Sequence, residues 1–195
     1  IMAGVHSADP AGFNAAGMTG SDMATFVADF FEEQGWTRNQ AAGISANLKV
    51  ESQFNPRAIG DNGKARGIAQ WHPHRQADFK EWAGFDITDD RADLIKQLEF
   101  VQYELTAGSM KRAGKLLQAA QNANEAGGVV SRYYEIPKLA DYEAAMRGRQ
   151  AAQIAQTTNI NVYGATDPNA TAAAVSGAQK QVTQDMARNL SNPVN

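Results

Sequence analysis

Residues 50–71 read VESQFNPRAIGDNGKARGIAQW, and the rest of the chain is best read outward from this stretch. Just upstream, Thr37 followed by Gln40 three residues later has the form of a capping box that opens a helix. Ile44, Leu48 and Glu51 then recur at three- and four-residue steps along one face. A carboxylate is therefore expected near the carboxyl end of a packed helix, pointing the same way as the apolar stripe. Behind it, Asn55-Pro56 and Gly60-Asp61-Asn62-Gly63 are too rich in turn formers to continue a helix. A small hairpin or irregular sheet is predicted there, with Asp61-Asn62-Gly63 at its tip and Gly67, Gln70 and Trp71 closing it.

Helical spacing dominates the flanks. Ser21 or Asp22 can cap a first helix whose stripe is Met23, Phe26, Val27, Phe30 and Phe31, with Gly35 as its stop. Pro73 opens a short helix running to about Gly84. A longer one spans roughly Asp89 to Ala107, with Leu94, Leu98, Val101 and Leu105 inward and Gly108 ending it. Further helices are expected over 109–120 and 123–134. Pro137 interrupts, and a last helix from about Leu139 to Gln156 carries Tyr142, Met146 and Ile154. The fold class is mainly α with one small β-hairpin. Three regions result: a Gly- and Ala-rich linker or tail over 1–20, a domain over 21–156, and a segment over 157–195. That last segment has no Trp or Phe and few charges. It reads as an extended or helical tail that packs on a partner or on a copy of itself.

Composition removes several classes of function. A chain of 195 residues suits one domain with a real core. The net charge of −3 offers no basic field to a nucleic acid. The absence of cysteine excludes disulfide frameworks, thiolate metal sites and cysteine nucleophiles. No apolar run approaches the ~20 residues that span a bilayer. The first twenty residues lack the basic start and continuous apolar centre of a secretory signal. Ile1 in place of a start Met is expected equally from a piece of a longer polypeptide and from an arbitrary sequence boundary. His72-Pro-His74 invites a metal reading, but no third ligand pattern accompanies it, so no metal and no cofactor is expected.

The remaining chemistry sits in the quoted window. An acid among apolar neighbours, at the negative end of its own helix, is favoured in its protonated form. In that form it can give a proton to a leaving glycosidic oxygen. The competing reading of Glu51 is a surface glutamate at a helix end. Asp61 could hold a water, act as nucleophile or support an oxocarbenium-like charge; equally, Asp-Asn-Gly is good turn chemistry. Gln70 could hydrogen-bond a sugar N-acetyl or hydroxyl group and Trp71 could stack on a sugar face. A polar residue closing a hairpin and a core tryptophan are the plainer alternatives.

The run GWTRNQAAGISANLKVESQFNPRAIGDNGKARGIAQWHPHR, followed by QLEFVQYEL and later YYEIP, resembles the phage tail lysozyme family over about residues 21–150. The ES.FNP…G..QW core is also similar to lytic transglycosylases and goose-type lysozymes. The resemblance implies a lysozyme-like domain whose hairpin flanks the active-site cleft, with peptidoglycan glycan strands as substrate. It further implies Glu51 as general acid, with Asp61, Gln70 and Trp71 at motif positions. Two chemistries stay open: hydrolysis with a second acid, or attack by the sugar's own 6-hydroxyl. The resemblance also implies a virion protein, carried in the tail with other tail or baseplate proteins and acting in the host envelope or periplasm. Residues 157–195 would then serve assembly or self-association. The alternative of another class is a structural tail component whose lysozyme-like domain only binds glycan.

Overall fold

The computed structural model describes residues 19–135 and 140–156. Within them the chain is mainly α, with one two-stranded antiparallel sheet. Helices α1 (Gly20–Glu33) and α2 (Arg38–Ser52) are followed by β1 (Ile59–Gly60) and β2 (Ala65–Arg66). Then come α3 (Pro73–Ala83), α4 (Leu94–Thr106), α5 (Lys111–Ala119), α6 (Ala123–Val130), a π-helical turn over Ser131–Glu135, and α7 (Ala140–Gln156). The Gly/Ala-rich start, Pro137 and the 157–195 segment lie outside the described residues, apart from Thr19 and Gly20.

Capping sets the helix starts. Thr37 accepts from the Gln40 backbone N–H while the Gln40 side chain accepts from the Thr37 N–H, so the expected box forms and opens α2. In α1 the cap is Thr19 rather than Ser21 or Asp22; Asp22 stands three residues on and closes a second box. In α4 the cap is Asp93, which accepts from the Lys96 N–H at 2.8 Å. The helix therefore starts about five residues later than the expected Asp89, because Asp89 and Asp90 sit in turns ahead of it. Gly35 takes φ +97° just beyond α1, as a helix stop should.

The core forms where α2 packs against α1, α6 and α7. From α1, Val27 and Phe31 are fully buried, while Met23, Phe26 and Phe30 cover the core's edge. The α4 stripe of Leu94, Leu98, Val101 and Leu105 is buried as predicted. Within the same core, Trp71, Phe79 and Phe100 form an aromatic group. Phe79 and Phe100 meet edge to face at 5.1 Å, a favoured aromatic geometry.

The three residues named on α7 differ in burial. Ile154 is buried, but Tyr142 and Met146 are 68% and 39% exposed. The buried face is instead Ala144, Arg147, Gly148 and Ala151. Backbone proximity is the reason. A Cβ on Gly127 of α6 would lie 2.6 Å from the Arg147 carbonyl, and one on Gly43 of α2 would lie 2.8 Å from Ala126. Helices this close leave room only for small side chains between them, so bulky residues turn outward. The close approach also brings α7, with its single buried arginine, against the end of α2.

Candidate active site

Helix α2 stops abruptly after the proposed acid. Gln53 and Phe54 both take left-handed conformations, with φ 54° and 63°. Such positions cost of order 1–3 kcal/mol for residues with a Cβ. Burial of Phe54, 4% exposed, offsets part of that cost and fixes the chain's exit. Asn55 then accepts from the Arg57 N–H at 2.9 Å in an Asx turn. The Ser52 hydroxyl donates to the Ile68 carbonyl at 2.8 Å, tying the helix end to the segment that follows the hairpin.

The hairpin pairs Ile59 with Arg66 and Gly60 with Ala65, and Asp61, Asn62 and Gly63 make its tip. All three tip residues have positive φ, which Asp, Asn and Gly tolerate best. Fully buried Gln97 on α4 anchors the base of the hairpin. Its amide donates to the carbonyls of Pro56 and Ala92, and its oxygen accepts from the Ile68 N–H. Gly67 (φ +75°) is obligatory beneath it, since a Cβ there would meet that oxygen at 2.6 Å and the Trp71 ring at 3.0 Å. One polar side chain from a distant helix thus sets where the hairpin stands relative to Glu51.

Glu51, Asp61 and Gln70 line one open cleft of about 460 Å³, together with His72, His74, Arg75, Tyr134 and Glu135. That volume lies within the range of small-ligand sites. The Glu51 side chain is 21% exposed, and Arg147 donates to its Oε1 at 2.9 Å. Arg147 itself is 4% exposed. It also donates to the Asn47 carbonyl and to Glu143, so one guanidinium clamps three acceptors on two helices. The acid's surroundings are therefore not only the apolar stripe read from the sequence; they include a charged partner from 96 residues away. Asp61 is half exposed, and its Oδ2 lies 3.8 Å from His72 Nδ1. Gln70 (φ 45°) folds its amide over Gly60 and donates to the Gly67 carbonyl.

Trp71 takes the plainer of its two readings, a core tryptophan. It is fully buried, so it offers no ring face to a sugar, and its indole N–H donates to Glu104 at 2.8 Å. Glu104 is the hub of a buried network absent from the sequence reading. Besides Trp71 it accepts two bonds from Arg75, at 2.7 and 2.8 Å, and one from the Tyr134 hydroxyl at 2.6 Å. The Arg75 guanidinium lies 4.4 Å from the Tyr134 ring centroid and also donates to the Tyr134 carbonyl. Burial opposes the Arg75 charge. The Glu104 carboxylate bonded to it more than offsets this and holds the guanidinium above its ordinary value. Burial, reinforced by Glu104, raises the Tyr134 hydroxyl well above its usual range, so it acts as a neutral donor. The π-helical turn falls where Tyr134 is tied at both its carbonyl and its hydroxyl, and it sets Glu135 into the cleft wall.

The residues missed left a faint signal. Glu104 lies three positions after Val101 on the buried side of α4, and Arg147 lies among the alanines and glycines of α7. A charge on an otherwise buried face implies a partner, although not which one. Among the described residues no group of three or more His, Cys, Asp or Glu is placed to hold a metal, and no helix is long and apolar enough to cross a membrane.

No curated protein matches the chain. A model of the phage tail lysozyme family matches residues 22–157, from the first helix through the last described one. With that match covering well over half of its length, the chain belongs to the phage tail lysozyme family, whose members are lysozyme-like peptidoglycan-degrading proteins.

Proposed function

We propose that the chain cleaves the bond between N-acetylmuramic acid and N-acetylglucosamine in peptidoglycan, with Glu51 as the general acid. The observation that carries this reading is the placement of Glu51. It is a partly exposed carboxyl at the end of a buried helix, clamped by Arg147 and opening on a cleft whose facing wall is a polar hairpin. A glycan strand lying in that cleft would set its bridging oxygen beside the acid. Proton transfer from Glu51 lets the bond to the anomeric carbon break with its electrons on the leaving oxygen, and Arg147 steadies the carboxylate left behind. Asp61 and Gln70 line the same cleft; in this reading Asp61 supports the positive charge that develops on the sugar ring and Gln70 offers its amide to the substrate. Trp71 serves from beneath, through Glu104, rather than by stacking.

In this reading the protein travels in the phage tail among other tail or baseplate proteins. It would open the host wall locally as the genome enters, with residues 157–195 as an assembly or self-association segment. Digestion of purified murein by the wild type, Glu51→Gln and Asp61→Asn, followed by mass spectrometry, tests the chemistry. Glu51→Gln should lose ~100- to 10,000-fold in rate. Reducing ends would indicate hydrolysis, and 1,6-anhydro ends attack by the 6-hydroxyl. Equal clearing by Glu51→Gln and wild type removes the acid assignment. A wild type that binds glycan without releasing fragments would make the chain a glycan-binding tail component instead.

A further inference from the structure

The reaction described above does not use the His72-Pro-His74 motif, yet both histidines line the cleft that holds Glu51. The proline explains where the first ring stands. His72 is the N-cap of α3 and Pro73 its first residue. A residue ahead of proline is confined to extended backbone, and His72 takes φ −74° and ψ 165°. Its side chain makes no capping bond to the helix, so the ring is left for the cleft. One residue earlier, Trp71 exchanges two backbone hydrogen bonds with Arg66 of β2, at 2.8 and 3.1 Å. Gln76 of α3 donates to the Lys64 and Trp71 carbonyls. The start of α3 and the hairpin are thus tied into one unit, which sets His72 Nδ1 3.8 Å from Asp61 Oδ2. Among the described residues the Asp61 carboxylate has His72 as its ion-pair partner and accepts no hydrogen bond.

We propose that His72 is a positioning residue for Asp61: its ring N–H aims the carboxylate of the hairpin tip at the sugar whose bond Glu51 breaks. The inference rests on Asp61 supporting the charge that develops on that sugar. A separation of 3.8 Å is too long for a direct hydrogen bond. Catalytic pairs are commonly loose in the free enzyme and tighten once substrate is bound. An unheld carboxylate spreads over several rotamers, and a fixed donor beside it selects one. That selection matters to the rate, because support must already be in place where charge appears in the transition state. It matters little to the fold. The two side chains are 51% and 52% exposed, and exposed pairs contribute little to stability. Pro73 supplies the direction, and His72 the donor.

Kinetics on soluble murein fragments test this with two substitutions of opposite kind. His72→Phe keeps a ring and loses the donor, whereas His72→Asn loses the ring and keeps an amide N–H at nearly the reach of Nδ1. His72→Phe should lower kcat about tenfold with KM changed less than about twofold, as when an interaction made in the transition state is lost. His72→Asn should recover most of that loss. In an Asp61→Asn background, His72→Phe should cost nothing further, since the one residue acts through the other. His72→Phe at the wild-type rate, His72→Asn no faster than His72→Phe, or losses that multiply in the double variant would each overturn the proposal. A slow Asp61→Asn beside a fully active His72→Phe overturns the positioning role alone. A fully active Asp61→Asn sinks the reading of Asp61 and this inference with it. The urea midpoint of His72→Phe should match that of wild type; a fall would make the ring part of the fold and remove the proposed role.

Discussion

Removing the Glu104 carboxylate should be among the most damaging single changes this domain can suffer. The side chain is fully buried and accepts four hydrogen bonds, from Trp71, twice from Arg75, and from Tyr134. Glu104→Ala leaves the Arg75 guanidinium, whose side chain is 8% exposed, without a counter-charge in the interior. Breaking one side of such a pair typically costs ~3–5 kcal/mol. With a urea slope of about 2 kcal/mol/M for a domain of this size, the unfolding midpoint should fall by about 2 M. Urea titration followed by tryptophan fluorescence reads this, since Trp71 loses its own partner in the same step. Two further variants separate charge from packing. Glu104→Gln keeps an acceptor oxygen and should cost less than alanine. Arg75→Met combined with Glu104→Leu removes both charges and should cost less than the two single changes added together, because contacting residues couple by ~0.5–3 kcal/mol. A midpoint for Glu104→Ala within about 0.5 M of wild type, or strict additivity in the double variant, would refute the network's role.

Other consequences follow from the same geometry. Because the Glu135 carboxyl is raised in the folded state, the protonated form is the one folding favours. Its stabilising contribution is complete below the unfolded value near 4.5 and is lost as pH rises from there through the higher folded value. Urea midpoints measured from pH 4 upward should therefore decline more steeply in wild type than in Glu135→Gln. Gly127→Ala forces a methyl to within 2.6 Å of the Arg147 carbonyl, so overpacking should cost about 1–3 kcal/mol in a thermal or urea melt. Activity should fall as well, since α7 would be displaced from Glu51. Arg147→Met strips three acceptors of their donor. Murein turnover should drop by about tenfold or more, with Arg147→Lys recovering only part of it because an ammonium lacks the planar fork.

Much of the local structure was legible because its causes are local. Thr37 and Gln40 satisfy each other's backbone groups, and the α4 leucines repeat at helical spacing. Asp61-Asn62-Gly63 tolerates the left-handed backbone that a tight tip needs. What depends on distant contacts has a different character. Tyr142 and Met146 match a helical stripe by hydrophobicity alone, but α7 is held so near α6 and α2 that only glycine, alanine and one extended arginine fit between them. Trp71 sits at a motif position that invites sugar stacking, yet the Glu104 carboxylate on another helix draws it inward.

Residue order alone specifies a mainly helical domain, a small hairpin after α2, and Glu51 at the junction between them. Capping, periodicity and turn chemistry act over a few residues and are written in order along the chain. Helix packing supplies what surrounds Glu51: Arg147 clamping it from α7, Gln97 setting the hairpin's base, and the Arg75–Glu104–Tyr134 network beside Glu135 in the cleft wall. These partners are separated by 29 to 96 residues. A buried charge in a sequence shows that a counterpart is needed, but which side chain meets it is fixed by how the helices pack.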